Sequence, residues 1–219
     1  MALSPGKRSV AALFSDPLCP FCHRTRIVIA EKNISADIID IDPANLPEDL
    51  VRLNPHNSAP TLVARDLVLY DSRVIMEYFD ERFPHPPLMP VDPISRARIR
   101  LMLHRIDQDW YRLLGGTKTH RPNISSKTRK MLIEDLTILS PAFEKTPFFM
   151  NEEFSLLDCA LAPLLWRLLA LETELPLQAK LVGDYANRIF ARNSFQQSLS
   201  AAERAMQTKA TSTLSSNGR

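Results

Sequence analysis

The chain has 219 residues, a formal net charge of +2, and 45% hydrophobic and 24% charged residues, values ordinary for a globular protein with one generous core or two small ones. So weak a basic excess, with no basic stripe interleaved with aromatics, gives no case for nucleic acid as the main partner and none for direct sequence-specific nucleic-acid binding. No run approaches the roughly 20 apolar residues of a membrane span, and Met1 to Arg8 lacks an apolar signal core. Three cysteines, an odd number, suit a reducing compartment better than a disulfide framework, so the expected location is cytoplasmic. Seventeen prolines against five glycines imply stiff connections and exclude a Gly-rich phosphate cradle.

In chain order, Val10-Ala11-Ala12-Leu13-Phe14 is a short apolar run consistent with a buried strand, closed by Ser15-Asp16-Pro17. Cys22 to Lys32 turns helical, with Ile27, Ala30 and Ile34 on one face and Asn33 as a C-terminal stop. Ala36 to Ile41 alternates as a second strand, and Pro47 to Leu53 forms a short helix or turn ended by Asn54-Pro55. Thr61 to Ala64 and Leu67 to Tyr70 form a hairpin around Arg65-Asp66. Asp71-Ser72 then opens a helix with Val74, Ile75, Tyr78 and Phe79 on its apolar side. A helix between the first two strands implies a parallel pair with a right-handed crossover.

Phe83 to Pro93 holds five prolines and reads as a linker. Everything beyond is helical. Ile94 to Leu114 carries Ile99, Leu103, Ile106, Trp110 and Leu113 at helical spacing, a rod of roughly 32 Å, and Gly115-Gly116 ends it. Ser126 to Lys145 is a second helix, preceded by the basic stretch from His120. Ser155 to Ala170 is almost wholly apolar, hence the buried centre of a bundle, with a kink expected at Pro163. Lys180 to Ala191 and Ser194 to Met206 complete it, and the polar tail from Gln207 is expected to be disordered. The expected architecture is an α/β thioredoxin-like N-terminal domain (8–83), a proline-rich linker (84–93), an all-α C-terminal bundle (94–206) and a tail (207–219).

Three motifs carry candidate chemistry, and two more carry structure. Cys19-Pro20-Phe21-Cys22 follows a strand and opens a helix, where backbone N–H groups and the helix dipole stabilise a thiolate. Cys19 would be the nucleophile and Cys22 the resolving thiol, with His23, Arg24 and Arg26 adding positive charge; the same residues also suit an idle cap and a small buried helix position. A zinc site lacks a second ligand pair at suitable spacing. Ala59-Pro60 precedes the third strand and is expected to be cis, turning the Ala59 backbone outward to pair with an extended thiol peptide. Asp71-Ser72 could bind a carboxylate at a helix N-terminus or serve only as its cap. Ser155 to Asp158 reads as a capping box that folds the central helix, with no catalytic part. Pro84-His85-Pro86-Pro87 is a rigid segment with one exposed imidazole, by composition a stiff hinge.

Together these features resemble the glutathione-transferase superfamily from about Arg8 to Met206, a glutathione-transferase-like two-domain architecture. Within it, Arg26 to Lys32, Leu53-Asn54-Pro55, Met76 to Pro90 and Ala162 to Leu168 resemble the stringent starvation protein A family. That resemblance implies a homodimeric regulator that contacts RNA polymerase holoenzyme together with its sigma factor and tunes transcription under stress. It makes Pro84, His85 and Pro86 part of a partner-binding surface pocket. It also implies no transferase activity and no required cofactor. The sequence departs from many members in keeping an intact Cys-x-x-Cys, and Asp71 stands where Glu is more usual. A glutathione-dependent transferase or glutaredoxin-like thiol-disulfide oxidoreductase using Cys19, with Ala59, Pro60, Asp71 and Ser72 as its glutathione pocket, therefore stays open as the alternative.

Overall fold

In a computed structural model the described residues are 11–113, 125–170 and 175–206. The first half is a four-stranded sheet, β1 (Ala11–Ser15), β2 (Ala36–Asp40), β3 (Thr61–Ala64) and β4 (Leu67–Tyr70), in the order β2-β1-β3-β4. The first two strands are parallel and the other pairings antiparallel, with Phe14 opposite Thr61 and Thr61 opposite Tyr70. Helix α1 (Pro20–Glu31) is the crossover between β1 and β2, as the strand-helix-strand order requires. Pro20 sits in its first turn, where the missing N–H costs nothing, and Asn33 stops it in the left-handed region at φ 51. Two-residue Arg65-Asp66 makes the hairpin, with Arg65 at φ 59.

The edge strand β2 departs from the expected alternation. Ile38 and Ile39 are 39% and 38% exposed on β2, which among the described residues is an edge strand paired with β1 alone. Helix α2 (Glu48–Leu53) leads back to the sheet, and α3 (Ser72–Arg82) covers it beside α1. On α3 it is Ile75, Met76 and Phe79 that are buried, whereas Val74, expected on the apolar side, is 50% exposed.

The second half is helical: α4 (Pro93–Arg105), α5 (Ser126–Ile138), α6 (Leu156–Ala170), α7 (Lys180–Phe190) and α8 (Asn193–Ser198). Asp92 caps α4 by accepting from the Ser95 N–H at 2.7 Å. Beyond Arg105 the rod widens into a π-helical stretch, Ile106–Tyr111, closed by Arg112 N–H on the Asp107 carbonyl at 3.1 Å. The expected single helix from Ser126 to Lys145 is broken after Ile138, because Pro141 lacks an N–H and disfavours helical backbone before it; Ser140–Phe143 is a short 3-10 turn instead. The expected helix Ser194 to Met206 is likewise two pieces, α8 and residues 201–206, restarted at Ser200. The Ser200 N–H donates to Glu203 Oε2 and the Glu203 N–H to Ser200 Oγ, each at 3.0 Å, a reciprocal capping box. Helix α6 runs through Pro163 with both sides buried. The expectations for Gly115-Gly116, the basic stretch at His120 to Pro122 and the tail lie outside the described residues, and no described helix is long and apolar enough to cross a membrane.

Charged groups fasten the two halves together. Glu203, fully buried, pairs through Oε2 with Arg26 Nη2 and through Oε1 with Arg167 Nη2, both at 2.6 Å, with His23 Nδ1 3.3 Å away. Arg26 also donates to the Ser198 carbonyl at 2.9 Å, and Arg167 to the Leu18 carbonyl at 2.9 Å. One face of α1 is thus locked onto α6 and the chain after α8.

Candidate functional site

The sheet register puts the thiol motif, the Ala59-Pro60 turn and the start of α3 at one end of the sheet. Cys19 follows the C-terminal end of β1, Pro60 enters β3 opposite that end, and Asp71-Ser72 leaves β4 beside it. Cys19 is the N-cap residue of α1, and its carbonyl accepts from the His23 N–H at 3.0 Å. Its thiol is pulled below the ordinary 9.0, first by a hydrogen bond from the Cys22 thiol and then, against burial, by the N–H groups of Cys22 and Phe21. Cys22 is pushed well above that value, chiefly by burial, and its Sγ accepts from the Asp16 N–H at 3.3 Å. Both are free thiols, and Cys19 is 7% exposed against none for Cys22.

The basic neighbours are held by other partners: none is among the causes that lower the Cys19 thiol, although Arg26 acts on Cys22. Arg24, under Phe21 and Tyr111, donates to Asp107 Oδ1 at 2.6 Å and twice to Ser72 Oγ, at 2.8 and 2.6 Å. Arg26 belongs to Glu203, and burial holds His23 well below its ordinary 6.5, hence neutral at pH 7. The depressed Cys19 thiol therefore owes its state to the helix N-terminus and its partner cysteine.

The Ala59-Pro60 bond is cis. Asn54, read from the sequence only as a helix stop, holds the turn before it. Its fully buried amide donates to the Ser58 carbonyl at 3.0 Å and to Thr61 Oγ1 at 2.8 Å, and its oxygen accepts from the His56 N–H at 2.9 Å. A buried amide bonded on both sides fixes a turn; Asn-Pro after a short helix was the available signal. Asp71, exposed at φ 77, caps α3 by accepting from the Arg73 N–H at 2.8 Å. Ser72 is 3% exposed and accepts twice from Arg24, so its hydroxyl proton is the group left to donate.

Pro84, His85, Pro86 and Pro87 lie apart from this, on an exposed loop between α3 and α4, and the His85-Pro86 bond is cis. Lys32, just beyond α1, reaches under the loop to the Phe83 and Pro86 carbonyls at 2.6 and 2.7 Å. Sequence spacing gave no hint of that contact, which joins residues far apart in the chain.

Residues 18–82 match the family described as glutathione S-transferase, N-terminal domain. A rice glutathione S-transferase, solved in complex with glutathione, superposes with a TM-score of 0.78 at 22% identity, covering 98% of this chain and 100% of the other, a likeness of fold. The chain is 48% identical over 203 residues to the stringent starvation protein A homolog of Haemophilus influenzae, covering 92% of this chain and 96% of the relative. It is 47% identical to that of Coxiella burnetii over 90% of this chain and 95% of the relative. At that identity over nearly the whole of both chains, on a glutathione-transferase fold, this chain belongs to the stringent starvation protein A family.

Proposed function

We propose that the protein is a homodimeric, RNA polymerase-associated regulator of transcription under stress, which binds polymerase holoenzyme through the Pro84-His85-Pro86 loop. The observation that carries this reading is the loop itself. It lies within the Met76 to Pro90 run that marks the family resemblance, and Pro84, His85, Pro86 and Pro87 are exposed while Phe83 before them is half-buried and Leu88-Met89 after them are buried. A segment of prolines has little conformational entropy left to lose, which suits recognition of a partner. Holoenzyme should co-purify with the wild-type chain and much less with His85→Ala. Failure of the wild type to bind ends the reading, and equal binding by the variant removes the loop from it. Light scattering on the same preparation checks the dimer.

The thiol pair favours a second reading, a glutaredoxin-like oxidoreductase. The Cys19 thiolate would attack a glutathione-mixed disulfide, forming a Cys19–sulfur bond and releasing the other thiolate. Cys22, on losing its proton, would then attack Cys19 Sγ and release glutathione thiolate, leaving a Cys19–Cys22 disulfide and the substrate reduced by two electrons. Cys19 should alkylate with a midpoint below 9.0, and Cys22→Ala should move that midpoint up by removing the largest cause of its depression. An unshifted midpoint in the variant, or no exchange with glutathione disulfide, eliminates this chemistry.

A further inference from the structure

The Phe83 to Pro90 segment has four prolines and so few N–H groups of its own. Its carbonyls need donors from elsewhere if they are turned inward. Lys32 supplies them. Its side chain is fully buried, and its Nζ lies 2.6 Å from the Phe83 carbonyl, 2.7 Å from the Pro86 carbonyl and 2.8 Å from Asp80 Oδ1. Three oxygens thus take the three protons of one ammonium. The same Asp80 oxygen accepts from the Leu88 N–H at 2.8 Å, and the Leu88 carbonyl accepts from the Leu156 N–H at 3.0 Å, at the start of α6. The loop is therefore held at both ends and in the middle from beneath.

The geometry points to Lys32 and Asp80 as positioning residues that latch the Pro84-His85-Pro86 loop in its partner-binding form. This rests on the reading of that loop as the polymerase contact. An ammonium suits the task because its three donors diverge from one point; a planar guanidinium spreads its donors over a fork and cannot meet the same three oxygens. The latch is thus specific to lysine and not to positive charge.

Within the loop, His85 and Leu88 are the residues between Phe83 and Met89 that carry an N–H, and their 15N relaxation reads its order directly. Both should be rigid in the wild type, with order parameters of about 0.85. Lys32→Met leaves Asp80 without its cation, so Lys32→Met/Asp80→Asn is made beside it to keep the fold. In the double variant, and in Lys32→Arg, the His85 order parameter should fall below about 0.6 while the sheet stays rigid. Polymerase retention should fall about tenfold or more, as expected for a lost charge-assisted bond. An ordered His85 in the double variant overturns the latch, and so does loosening spread through β1 to β4. A loosened loop that binds polymerase as tightly as the wild type overturns the positioning role. Should the wild type itself bind no polymerase, the functional reading fails, and relaxation still decides whether Lys32 orders the loop.

Discussion

Glu203→Ala should destabilise the protein by about 3–5 kcal/mol, the usual cost of removing one partner from a buried ion pair. The carboxylate is fully buried, and Arg26 and Arg167, 6% and 2% exposed, both depend on it. Its loss leaves two guanidinium groups without a counter-ion at the junction between the halves and also removes the acceptor for the Ser200 N–H. Against a total stability of about 5–15 kcal/mol, that change is large, and urea unfolding monitored by circular dichroism reads it. A change under about 1 kcal/mol would show that solvent reaches the network. The acid limb follows from the same cluster. Burial lifts the Glu203 carboxyl, but His23, Arg26 and Arg167 together bring it down to about 2. A depressed carboxyl gives stability that is present above its ordinary 4.5 and lost as pH falls toward about 2. His23 acts earlier and in the same direction. Its unfolded form takes a proton below 6.5 while the buried ring does not, so stability declines from pH 6.5 downward. His23→Gln should flatten the first part of that decline and move the second to higher pH, since His23 is the foremost of the three groups that lower Glu203.

Asp158→Ala should cost about 2–4 kcal/mol through a different mechanism. The Asp158 carboxylate is buried and accepts from the Phe149 N–H at 2.9 Å, the Ser155 N–H at 2.8 Å and the Tyr185 hydroxyl at 2.6 Å. Alanine leaves all three donors buried without an acceptor, each an expensive loss. Ser155→Ala removes an acceptor for the Leu157 N–H at 3.2 Å and a donor to Asp158, and should cost only about 1 kcal/mol. Thermal unfolding of the two variants separates them. If Ser155→Ala proves as damaging as Asp158→Ala, helix capping dominates and the Tyr185 and Phe149 bonds matter little.

Asp158 shows what the sequence made legible. Its role follows from Ser-x-x-Asp before an apolar run, a local pattern with a local cause. The sheet was legible for the same reason: strand periods, the Arg65-Asp66 turn and the Cys19-to-Cys22 helix start all depend on neighbours in the chain. Boundaries that local signals also set, such as the Pro141 break and the Ser200–Glu203 restart, were missed because a longer helical periodicity ran over them. Val74 failed for another reason. Periodicity says that α3 has an apolar face, and only packing decides where its edge falls. The candidate site divides in the same way. Cys19, Pro60 and Ser72 were readable as separate motifs, and the β1-β3-β4 register brings them to one sheet end. The partners of the charges were not readable. Arg24 with Asp107, Arg26 with Glu203 and Lys32 with Asp80 join residues 83, 177 and 48 positions apart, which no spacing rule connects.

The central claim is that this chain meets holoenzyme through the Pro84-His85-Pro86 loop. The most direct measurement is retention of purified holoenzyme and of core polymerase on the immobilised wild-type chain and on a variant with Pro84→Ala, His85→Ala and Pro86→Ala together. The account predicts that wild type retains holoenzyme far better than core, and that the triple variant, folded by circular dichroism, retains neither. Equal retention of holoenzyme by the triple variant, or none by the wild type, would contradict it.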